Sequence, residues 1–250
     1  MDITLLTCTY GRPYNLAEAV ECFRRQQIPE GVEAEMLILN DCKAQTLTCS
    51  VPGVRVVNSH LGRGDLCEAI NAGFEEARGT WVAPLDDDDL ALPFRLQNSW
   101  NWVTPRPSIK AMRQQRAWVL EHKHIINREY NLFIGSAFIN REYYFDCGGA
   151  VAGNECWDVD IWNKMMATGK AFERTPTPRK THLIYRWAGM GFHFSGLMDG
   201  TRSQKRLMEI YRQGVRNDPR FVAGDIEIAP KWHQDYEALV AEAITNRIGG

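Results

Sequence analysis

The chain has 250 residues, 44% apolar and 24% charged, with a net charge of −2, the proportions of an ordinary globular protein. No run of about 18 apolar residues occurs, so no transmembrane helix is expected, and the opening "MDITLLTCTYGRP" lacks the basic region of a signal peptide. The seven cysteines are odd in number and never spaced as C-x-x-C, which argues for reduced thiols in a cytoplasm and against a disulfide framework or structural zinc.

"ITLLTCTY" (3–10) reads as a buried strand ended by Gly11-Arg12-Pro13. "NLAEAVECFRRQQ" reads as a helix, with Asn15 as its cap and Glu18 completing a capping box. "AEMLILND" (34–41) and "VRVVNS" (54–59) read as two more strands. "GDLCEAINAGFEEAR" (64–78) reads as a helix capped by Gly79, and "TWVAPL" (80–85) as a fourth strand. Strand and helix alternate, and the short apolar strands suggest burial on both faces, the signature of a mostly parallel α/β sheet.

Beyond residue 95 the alternation stops. "NSWNWVTPRPSIKAM" reads as a turn-rich transition, and "AWVLEHKHIINREYNLFIGSAFINREYY" as two or more short strands. "WDVDIWNKMMATGKA" reads as a helix ended near Gly169, and "THLIYRW" as a strand followed by the glycine-rich "AGMGFHFSG". Two helices, near 201–216 and 233–247, are expected in the tail.

Four polar features follow the front strands: residues 9–12, Asn40 with Asp41, residues 58–63, and the four aspartates 86–89. In an open α/β sheet ligands bind beyond the carboxyl ends of the strands, so one edge would gather all four. Adjacent carboxylates at a strand end are tolerable when a divalent cation neutralises them. Mg²⁺ or Mn²⁺ prefers hard oxygen ligands and is often shared with substrate phosphates, which makes a metal–diphosphate site the expectation.

The first 95 residues resemble an inverting family 2 glycosyltransferase of the GT-A fold. The resemblance rests on "TCTYGRPYNLAEAVECFRRQ", "EMLILND", "NAGFEEARGTWVAPLDDDDLALP" and the later "WDVDIWNKMMATGKA", and it extends more loosely over 133–195. It implies a Rossmann-like, mostly parallel central sheet flanked by helices, with an irregular acceptor half and C-terminal helices. The expected division is a donor half at 1–95, an acceptor-binding and catalytic half at 96–200, and a helical extension at 201–250.

The resemblance also implies roles for single residues. Thr9, Tyr10 and Arg12 would surround the nucleotide base, with Asp41 contacting it. Asn40 stands where the family usually has a second aspartate. Arg63 would meet the donor diphosphate. Asp86 and Asp88 match the acids of the D-x-D motif, Asp88 as direct metal ligand and Asp86 toward the ribose or a metal-bound water. Asp158 falls at the catalytic-base position, with Glu155 as second choice, and Trp157 replaces the family's usual first acid there. His193, or failing it His182, would be a further metal ligand. Trp157, Glu155 and Arg186 complete the expected acceptor side.

The expected reaction is metal-dependent, inverting transfer from a nucleotide-diphosphate sugar, a UDP-sugar first, to an acceptor hydroxyl. Two other classes stand beside it, a nucleotidyltransferase and an inactive nucleotide-sugar binding module. Residues 1–100 carry 8 Lys and Arg against 15 Asp and Glu, whereas 101–220 carry 19 against 11. A basic second half suits an anionic acceptor or surface. The acceptor expected is a surface or lipid-linked glycan, with peripheral membrane contact possible. The alternative is DNA with hydroxymethylated bases, as for a viral-type enzyme that must extrude its target base.

Overall fold

The computed structural model describes residues 1–59, 66–121, 124–129, 134–153, 156–187 and 204–248. In chain order the elements are β1 (Ile3–Thr9), α1 (Pro13–Arg24), β2 (Ala34–Asn40), β3 (Gln45–Thr48), β4 (Val54–Asn58), α2 (Leu66–Glu76) and β5 (Trp81–Pro84). There follow β6 (Leu90–Ala91), α3 (Arg95–Val103), β7 (Ala111–Gln114), β8 (Arg116–Glu121), β9 (His124–Glu129), β10 (Phe138–Asn140) and α4 (Arg141–Asp146). The last are α5 (Trp157–Ala167), β11 (Ala171–Arg174), β12 (Leu183–Trp187), α6 (Gln204–Asn217), β13 (Gly224–Glu227) and α7 (Tyr236–Ile248).

Seven strands form the central sheet in the order β11-β7-β10-β5-β1-β2-β4. β1 runs parallel to β2 and β5, β2 parallel to β4, and β11 parallel to β7, while β10 is antiparallel to both its neighbours. This is a mostly parallel α/β sheet. Alternation along β1 explains why both faces must be covered. Ile3 and Leu5 join Leu16 and Val20 of α1 in one apolar core, and Leu6 joins Phe74 of α2 and Ile161 of α5 in another. A four-stranded sheet, β6-β12-β8-β9, packs in the first core, and β13 pairs with β3 as a small separate ladder.

Four local expectations are corrected. Helix α1 begins at Pro13, whose missing N–H and fixed φ suit the first helical position, so Asn15 lies inside the helix and caps nothing. Glu18 is then fully buried rather than part of a capping box. Gly79 is not a left-handed helix cap. It lets the chain pass close to β1, where a methyl group would sit 2.5 Å from the Thr4 backbone nitrogen. The stretch read as a turn-rich transition begins with the last six residues of the nine-residue helix α3, and the "REYY" end of the stretch read as strands opens helix α4, with Asn140 Oδ1 accepting from the Tyr143 N–H at 3.1 Å.

Candidate active site

The parallel strands end along one edge, and the acidic loop closes it. The loop leaves β5 in the central sheet and enters β6 in the four-stranded sheet, so residues 86–89 span the junction of the two. Their side chains have different surroundings. Asp87 accepts from Thr9 Oγ1 at 2.6 Å and from Arg12 Nε at 3.2 Å, with Arg12 Nη2 on its other oxygen. Asp88 accepts from Arg12 Nη1 at 2.8 Å. Asp89 accepts from the Arg186 backbone N–H at 3.1 Å. Asp86 is the one exposed member of the four.

Asp86 opens to solvent on one side, yet protein surrounds it on the others. Lost hydration pushes its carboxyl up to about 7, and the charges of Asp88, Asp87 and Asp158 add to the rise. Asp87 rises to about 6, again first through lost hydration, despite the opposing charge of Arg12. The loop therefore holds more negative charge than its own cations neutralise.

Two buried arginines support the loop from within. Arg186 is fully buried. Its Nε donates to the Asp88 carbonyl and its Nη1 to the Glu18 carboxylate. Glu18 also accepts from Tyr236 Oη at 2.6 Å and the His233 N–H at 3.1 Å. Arg186 thus acts inside the fold and not on an acceptor, because its guanidinium is enclosed and committed. Arg95, also fully buried, donates to the carbonyl of Pro84 at 2.6 Å, directly before the loop. Lost hydration pulls the Arg95 pKa down to about 10. Sequence pattern gives Glu18 only a capping role and Arg95 none. The signal was present: each is a charge set among apolar residues of an amphipathic helix.

Asp158 opens α5 and is half-buried. Lost hydration raises its pKa, against the helix N-terminal N–H groups and the charge of Arg113. Its charge contributes to the raised pKa of Asp86, from which it is far in sequence. Arg113 is itself held by Glu173 at 2.5 Å and lies 4.5 Å over the Trp162 ring. Asp160 turns outward and pairs with Lys164 at 2.7 Å. Trp157 is 8% exposed and packs in the core with Leu6 and Phe74, which leaves no open ring face for a sugar.

At the other end of the edge, Asp41 accepts from Ser59 Oγ at 2.9 Å and from Arg212 Nη2 of α6 at 3.4 Å. Tyr10 Oη accepts from Arg216 Nη2 at 2.9 Å. Asn40 donates to Asn58 Oδ1 at 2.9 Å, joining the ends of β2 and β4. Arg63, Glu155 and His193 lie outside the described residues. His182 is fully buried beside the Ser136 carbonyl, and lost hydration holds its pKa well below the usual range, so it is a core residue.

Among the described residues no group of three His, Cys, Asp or Glu is arranged to hold a metal ion. Asp86 and Asp88 nevertheless offer hard oxygens, and the surplus charge on the loop suits a divalent cation whose other ligands come from a diphosphate.

Comparison with known proteins agrees with this geometry. The sheet and its flanking helices define a GT-A fold. The glycosyl transferase family 2 profile matches residues 4–161, and the chain belongs to that family. The succinoglycan biosynthesis protein ExoO of Rhizobium meliloti (strain 1021) is 35% identical over 101 residues, 38% of this chain and 28% of its own length. The chain thus spans less than a third of that curated relative. Among solved structures, residues 1–349 of S. aureus TarS in complex with UDP-GlcNAc align with a TM-score of 0.62 and 11% identity, over 100% of this chain and 73% of that one. The mannosyltransferase PcManGT of Pyrobaculum calidifontis, in complex with GDP-Man and Mn²⁺, aligns with a TM-score of 0.54 and 14% identity, over 99% and 75%.

Proposed function

We propose that the chain transfers a sugar, with inversion, from a nucleotide-diphosphate sugar to an acceptor hydroxyl. The observation that carries this reading is the acidic loop 86–89 at the strand-end edge of a family 2 chain. Asp158 accepts the acceptor's hydroxyl proton as that oxygen bonds to the anomeric carbon. The bond from the anomeric carbon to the diphosphate breaks in the same displacement, through an oxocarbenium-like transition state. A raised pKa makes Asp158 a stronger base than an ordinary carboxylate.

Asp86 and Asp88 would hold Mn²⁺ or Mg²⁺, whose Lewis acidity would stabilise the leaving diphosphate. Thr9 and Arg12 position the acidic loop through Asp87 and Asp88. Tyr10 and Asp41 take the nucleotide base, Tyr10 by stacking and Asp41 by accepting a base N–H. Arg63 is assigned to the diphosphate.

For the acceptor we propose a polysaccharide or lipid-linked glycan. The relative ExoO, named for succinoglycan biosynthesis, favours this. So does the inward turn of one cation of the basic stretch: buried Arg113 binds Glu173. Fewer of these cations remain for a nucleic-acid backbone than the sequence suggests. The test is a screen of UDP- and GDP-sugars with glycan and hydroxymethylated duplex acceptors. Release of nucleoside diphosphate with a glycan acceptor is expected. Pyrophosphate release from a nucleoside triphosphate would replace glycosyl transfer by nucleotidyl transfer, and transfer to the duplex would overturn the glycan assignment.

A further inference from the structure

Helix α6 lies beyond the family-matched segment and rests on the proposed base site. Its Met208, Tyr211 and Val215 form a small apolar cluster with Tyr10 and Cys42, separate from the two main cores. Gly11 permits the approach. Its φ is +71°, and a Cβ there would stand 2.8 Å from Val215 Cγ1. Under α6, Tyr10 is 8% and Asp41 5% exposed, so a ligand cannot reach either while the helix is seated.

The guanidinium of Arg212 lies 5.0 Å over the Tyr10 ring, and its Nη2 donates to Asp41 at 3.4 Å. A planar, delocalised group that stacks on the aromatic ring and donates N–H to the carboxylate does what a nucleobase would do at the same two residues. We propose that Arg212 holds the base position in the ligand-free protein, and that the donor base displaces it, so that Arg212 sets donor affinity. This rests on the reading of Tyr10 and Asp41 as the base contacts. Displacement is energetically accessible. The Arg212–Asp41 contact is long at 3.4 Å, Arg216 adds a hydrogen bond to Tyr10 at 2.9 Å, and the cluster beneath α6 is small and separate from both cores, so the helix can lift without opening them. Occupancy by Arg212 lowers apparent affinity by the fraction of molecules in which α6 is raised.

The test is calorimetric binding of UDP and GDP to the full chain, to Arg212→Ala and to Arg206→Ala. Arg206 stands on the same helix but pairs outward with Glu209, which makes its variant a control for lost charge. Arg212→Ala should bind the preferred nucleotide roughly fivefold more tightly than wild type, the order expected for removing one partly exposed ion pair from the closed form. Arg206→Ala should show no gain. Amide exchange across residues 204–217 should speed up on nucleotide binding. Unchanged or weaker binding by Arg212→Ala, or slower exchange in α6, would overturn the proposal and make α6 a wall that closes on the donor. Absence of binding by all three proteins would overturn the donor-site reading itself.

Discussion

The acidic loop at 86–89 and the acid pair that opens α5 hold their carboxylates in different ways. In the loop, Asp87, Asp88 and Asp89 are drawn into the protein by Thr9, Arg12 and the Arg186 backbone. At α5, Asp158 has only backbone N–H groups as hydrogen-bond donors among the described residues, and Asp160 turns outward to Lys164. The acids with strong partners fix the shape of the site. Asp86, exposed, and Asp158, half-buried, lack side-chain partners among the described residues, which leaves them open to a ligand. A raised pKa does not separate the two groups, because Asp87, bound by Arg12 and Thr9, is raised as well.

That contrast can be broken experimentally. The largest effect is expected at Arg186. Arg186→Ala leaves Glu18 buried without its cation and should cost about 3–5 kcal/mol in denaturant unfolding. A loss below about 1 kcal/mol would mean that the pair does not anchor the loop. Next, Asp87→Asn removes the charge that Arg12 and Thr9 bind, and should cost about 2 kcal/mol. Asp86→Asn should keep or raise stability at neutral pH, because it loses no partner and removes a charge that burial and the neighbouring aspartates disfavour, while transfer falls. Equal destabilisation by the two variants would erase the distinction between supporting and reacting acids.

The smallest effect concerns pH. Asp158 must be ionised to accept a proton, and lost hydration raises its pKa. The acid limb of kcat should therefore lie above the ordinary carboxylate range, with activity lost as pH falls through it. A limb at or below that range would contradict the assignment.

The front of the molecule was legible because each of its strands is a short apolar run closed by polar or glycine residues. β1, β2, β4 and β5 appear where the sequence puts them, and the parallel register carries their ends to one edge. Asp41 and Asp86 stand out in the sequence because they follow strand ends, whereas Asp158 stands out only through the family resemblance. β3 and β13 were missed because four residues each of "QTLT" and "GDIE" carry no periodic signal apart from their pairing. Helix α3 was obscured by the prolines at 105 and 107 that follow it. The Glu18–Arg186 pair joins residues 168 positions apart, and α6 meets Tyr10 from 206 positions away. No local pattern announces such contacts. They arise when the second sheet and the tail pack back onto the strand ends.

The central claim is that Asp158 acts on the acceptor proton while the donor binds elsewhere in the same cleft. The direct measurement is turnover and nucleotide affinity of Asp158→Asn with the nucleotide-sugar that wild type uses. The account predicts a fall in kcat of roughly 10²- to 10⁴-fold, with the nucleoside diphosphate Kd unchanged within about twofold and the fold intact. Wild-type turnover by Asp158→Asn, or a loss confined to nucleotide binding, would contradict it.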